Sequence, residues 1–190
     1  MQPREKVRCT LGIYIAILNP DHDGRLLIWR RTEEGSIIPG VSFYGNWEMP
    51  GGGVYVPSNQ VEYDYPIYEG LRQLEEEVGV FGRGLVVPGI PPAYMLLFRD
   101  DLALVVPHIA SVEPTKGETL WVSPEQYNGL AKEFIGPKEA KEQGLREACG
   151  LVSGWGERMH CLGLAAFTHS PNHEFAEQAH ATLDSIVASW

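Results

Sequence analysis

The chain has 190 residues, 44% of them hydrophobic and 21% charged. That is enough apolar surface for an ordinary core and too little charge for a disordered polymer. A formal net charge of -10 repels phosphate backbones at long range, which argues against binding nucleic-acid duplexes by charge. A small phosphorylated substrate arriving with divalent cations is still compatible, because the cations invert the local field. No apolar run approaches the roughly 20 residues that span a bilayer. The charged start, Met1 to Lys6, has no signal-peptide core, and the three cysteines, Cys9, Cys149 and Cys161, form no framework; a soluble, reducing cytoplasm is the expectation.

In chain order, Val7 to Leu18 is rich in β-branched and aromatic residues and predicts a strand. The turn cluster Asn19-Pro20-Asp21-His22-Asp23-Gly24 and a second strand, Arg25 to Thr32, complete a hairpin. Glu33 to Asn46 reads as a loop. Trp47-Glu48-Met49-Pro50 is strand-like and runs into Gly51-Gly52-Gly53, where the backbone is free to bend and approach a ligand closely; alone, the run is equally a tight turn. Pro66 suits the first turn of a helix, and the spacing Ile67, Leu71, Leu74, Val78 predicts an amphipathic helix that Gly79 ends.

Leu85 to Val87, Ala93 to Phe98 and Leu102 to Val106 are further strands, the last two a hairpin. Thr119 to Val122 is another, and Ser123-Pro124-Glu125 opens a helix with serine as cap. Pro137 to Val152 and the stripe Phe175, Ala179, Leu183, Ile186, Val187, Trp190 are helical, while Gly154 to Phe167 is a third helix or a buried connector. The expected organisation is a domain over residues 1–136 and a helical extension over 137–190. The apolar faces of the extension pack on the sheet or form a homodimer contact.

Opposite its apolar stripe, the helix at 67–78 carries Glu69, Gln73, Glu76 and Glu77, spaced so that they share one face, with only Arg72 at the margin. Such a face is either a solvated acidic surface or a cation site. The glycine run upstream favours the second reading. Together, Trp47-Glu48-Met49-Pro50-Gly51-Gly52-Gly53-Val54 and Arg72-Gln73-Leu74-Glu75-Glu76-Glu77-Val78-Gly79-Val80 resemble the signature of the Nudix hydrolases, and Leu26 to Arg31 resembles that family's second core strand. The likeness covers roughly residues 7–130. It implies an α/β fold, an α/β/α sandwich around a mixed sheet with a loop-helix-loop, here followed by C-terminal helices.

The resemblance also implies chemistry. Glu76 and Glu77 match family ligands of Mg²⁺ or Mn²⁺, Gly51 and Gly52 match the loop that offers the ion a carbonyl, and Arg72 matches an arginine that orients the helix carboxylates. With Gly53 these glycines would approach the substrate. Mg²⁺ keeps several waters, so one or two carboxylates and a substrate phosphate suffice. The implied activity is hydrolysis of a phosphoanhydride in a nucleoside diphosphate-linked or related compound. The alternative is a Nudix-fold nucleotide-binding or regulatory module with attenuated catalysis; prenyl diphosphate isomerisation, also found on this fold, has no specific support.

Two departures bear on this. About six extra residues lie between Gly52 and Arg72, so that in ungapped register the family's first glutamate falls on Ser58. Gln73 stands where the family has a glutamate that ligates metal and, in some members, acts as base. Glu69, one turn earlier, is a candidate replacement ligand, as are Glu62, Asp64, Glu113 and Glu118. The inserted segment carries Tyr55, Tyr63, Tyr65 and Tyr68; these either stack on a nucleobase or pack the segment onto the domain, Tyr55 being the one closest to the glycines. His160, Cys161, His169 and His173 have a spacing that zinc tolerates, but Ser170-Pro171-Asn172 reads more simply as a turn and helix cap.

Overall fold

The computed structural model describes residues 10–31, 45–54, 65–81, 94–98, 101–132 and 156–188. Its centre is β1 (Thr10–Asn19), an apolar strand whose two faces are both covered. A single 3₁₀ turn, Pro20–His22, follows, capped by the Asn19 side chain, which accepts from the Asp21 N–H at 2.9 Å. β2 (Arg25–Arg30) returns antiparallel, pairing Leu18 with Leu26, so the expected hairpin is present. Short β3 (Trp47–Glu48) pairs with β2, placing Glu48 opposite Trp29.

The glycine run is itself a strand. β4 (Gly51–Val54) pairs antiparallel with β1, Gly51 opposite Tyr14 and Gly52 opposite Ile13. The sequence reading of a turn or loop here is corrected by geometry. At Gly51, where φ is +141°, an added Cβ would stand 2.1 Å from the Ile13 carbonyl oxygen and 2.7 Å from Tyr14 Cα, so only glycine lets the two backbones come this close.

α1 (Tyr65–Val78) begins one residue ahead of Pro66 and ends at Gly79, which has φ +70°. Its predicted stripe is the buried one: Leu71, Leu74 and Val78 are covered, with Ile67 partly so. β5 (Tyr94–Phe98) and β6 (Asp101–Ile109) form the second expected hairpin. β6 also lies parallel to β1, in register from Thr10↔Asp101 to Leu18↔Ile109, and β7 (Glu118–Val122) pairs with β2. Among the described residues the sheet therefore has seven strands, mixed in direction, ordered β3-β2-β1-β6-β5 with β4 on β1 and β7 on β2.

Because strand side chains alternate, β1 feeds two cores. Ile13, Ile15 and Ile17 meet Leu27, Trp29, Val106 and the α1 stripe. Tyr14, Ala16 and Leu18 meet Leu26, Ile28, Ala103 and Val105, together with α2 (Pro124–Lys132), α3 (Gly156–Phe167) and α4 (His173–Ala188). This is the α/β/α arrangement expected from the sequence. α2 opens with a reciprocal cap: Ser123 Oγ accepts from the Gln126 N–H at 3.3 Å and Gln126 Oε1 from the Ser123 N–H at 2.9 Å.

Of the two expectations for residues 154–167, a helix or a buried connector, the helix is present as α3, buried around most of its circumference because it lies between the sheet and the other helices. Gly163 permits that approach: a Cβ there would stand 2.3 Å from the Tyr127 ring, whose hydroxyl donates to the Met159 carbonyl at 2.6 Å. Phe175, Ala179, Leu183 and Ile186 of α4 close the same core, whereas Val187 points out at 61% exposure, and Trp190 and the segment 137–152 lie outside the described residues. Asn172 caps α4, accepting from the Glu174 and Phe175 N–H groups, and Ser170 Oγ donates to the Gly24 carbonyl in the β1–β2 turn. The turn-and-cap reading of residues 170–172 is thus the observed one.

Gly51→Ala will lower stability by roughly 2–4 kcal/mol, the scale of forced backbone strain and overpacking, measured by urea unfolding. Gly53→Ala, where an added Cβ has nothing within 4 Å, will change it by about 0.5 kcal/mol or less. Equal effects at the two positions would show that the close approach at Gly51 does not constrain the fold.

Candidate functional site

α1 is held over the sheet so that its last turns face β4 and β1. Its C-terminus is fastened by the segment before β7: the Thr115 and Lys116 N–H groups donate to the Val78 carbonyl at 2.9 and 3.1 Å, and Thr115 Oγ1 donates to the Gly79 carbonyl at 3.0 Å. This fixes the rotation of the helix. Glu77, adjacent to the buried Val78, therefore turns toward the sheet and accepts a hydrogen bond from the Gly51 N–H at 2.9 Å. One turn earlier, Gln73 Oε1 lies over Gly52, 2.8 Å from where a Cβ would stand.

The acidic face then divides. On its outer side Arg72 pairs with both Glu69 and Glu76, donating to both carboxylate oxygens of Glu69. Glu69 is held below the ordinary carboxylate range by that bond first of all. Glu76 is exposed at 59% of its side chain, so this half is a solvated ion-pair cluster. The inner side holds Glu77 and Gln73. Gln73 Nε2 donates weakly to Glu69 at 3.4 Å, and its Oε1 is buried with no partner among the described residues.

Sequence reasoning missed Glu48. It lies on β3, 3% exposed, with Oε1 accepting from the Arg31 guanidinium at 3.2 Å. Burial pushes its carboxyl up to about 7, although Arg31 pulls the other way. Glu77 is pushed up to about 9, by burial first and then by the negative charge of Glu48, against the opposing effects of the Gly51 N–H and Arg31. Among the described residues, the buried Glu48 and the half-buried Glu77 thus stand near one guanidinium, Arg31, and burial favours their protonated or cation-bound forms. Glu48 sits opposite Trp29, and cross-strand partners share a face, so its placement is set by strand pairing and has no signal in the two-residue strand itself.

Of the remaining candidates, some are described and stand apart from this face. Tyr55, Glu62, Tyr63 and Asp64 lie outside the described residues. Tyr68 is 61% exposed. Glu113 pairs with His22 at 2.6 Å and Glu118 with Arg30 at 3.4 Å. His160 is bonded to Asn128 Oδ1 at 2.6 Å, and Cys161 is buried in α3. Among the described residues no group of three or more His, Cys, Asp or Glu is placed to enclose a metal ion, and no helix is long and apolar enough to cross a membrane. The donor set of Glu77, Glu48 and the orphaned Gln73 oxygen fits a hard cation that takes its other ligands from water and phosphate.

No protein-family model matches the sequence, and no curated protein does. Among solved structures, the chain is similar to a MutT protein from Methanosarcina mazei Go1 (23% identity, 63% of this chain and 80% of that one, TM-score 0.40). It is also similar to a protein from Deinococcus radiodurans (16%, 84% and 90%, TM-score 0.47). A third is a Nudix-family hydrolase from Clostridium perfringens (13%, 84% and 96%, TM-score 0.46). At such identities the chemistry has to be read from the chain's own residues.

The two raised carboxyls make stability depend on pH. Their protonated forms favour the fold, so this contribution is complete below the unfolded value of 4.5 and is lost as pH rises through about 7 for Glu48 and about 9 for Glu77. In chelator, the melting temperature will fall between about pH 5 and about pH 9, each group contributing at most ~1.4 kcal/mol per pH unit. Glu48→Gln will flatten the lower half of that decline. Superimposable wild-type and mutant profiles would show that Glu48 is not held in its protonated form by burial.

Proposed function

We propose that the protein is a Nudix-type hydrolase that cleaves a phosphoanhydride in a nucleoside diphosphate-linked or related small molecule, using Mg²⁺ or Mn²⁺. The observation that carries this reading is the pairing of Glu77 with the Gly51 N–H, which joins the two halves of the Nudix-like signature at one point. A solvated acidic helix has no reason to turn one of its carboxylates into a strand of glycines. The fold expected from that signature accompanies it, with α1 on one face of a mixed sheet and β4 beside it.

A bound divalent ion would polarise the phosphoryl group and activate water near neutral pH. Around it the chain supplies fixed groups. Glu77 would hold the ion, with the neutral oxygen of Gln73 beside it. Gly51, Gly52 and Gly53 would leave room for the diphosphate to approach the backbone, since Gly53 is exposed and open on its free side. Arg72 would keep Glu69 and Glu76 oriented and their charge balanced. Tyr55 is retained as a stacking residue for the nucleobase on its place in the sequence. A cytoplasmic setting and an action independent of membranes and nucleic-acid duplexes accord with the composition.

Gln73 favours a second reading, the attenuated nucleotide-binding module, because an amide cannot serve as a base and loss of one costs about 10²–10⁴-fold. Release of phosphate or nucleotide from a panel of nucleoside diphosphate-linked compounds, with Mg²⁺ or Mn²⁺, separates the two. The hydrolase turns over at least one compound, and Glu77→Gln lowers kcat/KM about 10²–10³-fold, the worth of several kcal/mol of transition-state stabilisation. Binding without turnover, with activity appearing only in Gln73→Glu, would favour the module. Neither binding nor turnover with any compound would overturn both.

A further inference from the structure

The family-like acids do not account for the charge balance of the inner site. Arg72 engages Glu69 and Glu76 on the outer side of α1, and the side chain at position 73 is a neutral amide. Glu77 is then the one helix carboxylate that faces β4. A divalent ion bound by a single carboxylate and an amide oxygen would be poorly neutralised. Yet Glu48 enters the same region from the sheet side, in a residue 3% exposed, on the strand face that carries α1. Among the described residues one guanidinium, Arg31, contacts it. Burying a carboxylate so completely costs free energy that one Arg–Glu contact at 3.2 Å offsets only in part. A residue chosen for packing alone would be apolar here.

We propose that Glu48 provides the carboxylate that position 73 lacks, so that Glu48 from β3 and Glu77 from α1 form the anionic pair that holds the divalent ion, with Gln73 adding a neutral oxygen. The inference rests on the metal-dependent reading above and goes beyond it by moving one ligand from the helix to the sheet. Three observations converge. The Gln73 Oε1 atom is buried and unpartnered among the described residues, as an acceptor waiting for a cation would be. Glu48 stands three residues ahead of Gly51, whose N–H holds Glu77, and on the sheet face that carries α1, so both carboxyls lie on one side of the sheet. The Arg31 contact holds Glu48 in place, and among the described residues it is the one guanidinium paired with the carboxyl. Glu48 is thus a ligand-position residue, and Arg31 a positioning one.

The test is Mn²⁺ affinity of the full chain, followed by the paramagnetic resonance of the free ion, with no substrate present. Wild type binds one ion, and Glu48→Gln and Glu77→Gln each weaken it about tenfold or more, at least the effect of losing one supporting side chain. Moving the charge back, in the double variant Glu48→Gln with Gln73→Glu, restores affinity to within about threefold of wild type; a purely structural role for Glu48 would not be rescued this way. Melting curves in chelator confirm that each variant is folded. If Glu77→Gln weakens the ion but Glu48→Gln leaves it unchanged, or the double variant shows no recovery, the assignment of Glu48 fails while the metal-dependent reading stands. If wild type binds no ion, both fail.

Discussion

The architecture of the site depends on one contact, the hydrogen bond from the Gly51 N–H to the Glu77 carboxylate. It requires two backbones to lie closer than any side chain allows, because a Cβ at Gly51 would strike the Ile13 carbonyl of β1. It also requires α1 to be rotated so that Glu77 faces inward beside the buried Val78, which the Thr115 and Lys116 bonds to the Val78 carbonyl and the left-handed Gly79 secure. Glycine-rich strand and acidic helix are therefore parts of one device. Neither has an evident purpose alone.

Charge explains what that device is for. Glu48 is buried and Glu77 half-buried near the Arg31 guanidinium, an arrangement that costs stability unless a proton or a cation completes it. Proteins retain such arrangements where function uses the deficit. The outer acids differ in kind: Arg72 satisfies Glu69 and Glu76 in a solvent-facing cluster whose contribution to stability is small. Acids that look equivalent along the sequence are thus divided by less than one helical turn into a balanced set and an unbalanced one.

Much of this was legible in the sequence because the relevant physics is local. The α1 stripe, its stop at Gly79, the reciprocal cap at Ser123 and the Asn172 cap of α4 each depend on residues within a turn or two, and each stands where the pattern placed it. The hairpin at Asn19 to Gly24 was marked by turn residues, and Asp23 and Gly24 do take positive φ. What escaped notice depends on distant partners. Glu48 is polar in a strand two residues long, and nothing near it in sequence shows that it will be buried on the sheet face that carries α1. The glycine run has the local signature of a turn because its strand character comes from pairing with β1, far back in the chain. α3 was ambiguous because a helix enclosed by a sheet and two helices has little polar face from which to read a period.

Anomalous diffraction from crystals grown with Mn²⁺ is the direct check on an ion site built at the Gly51–Glu77 contact. Such a site predicts a single strong peak on the inner side of α1, between the Glu77 carboxylate and the strands bearing Glu48 and Gly51, with Gln73 Oε1 within coordinating distance. A peak at the outer Glu69 and Glu76 carboxylates, or none near Glu77, would contradict it and leave the Gly51–Glu77 contact as a fastening of the fold alone.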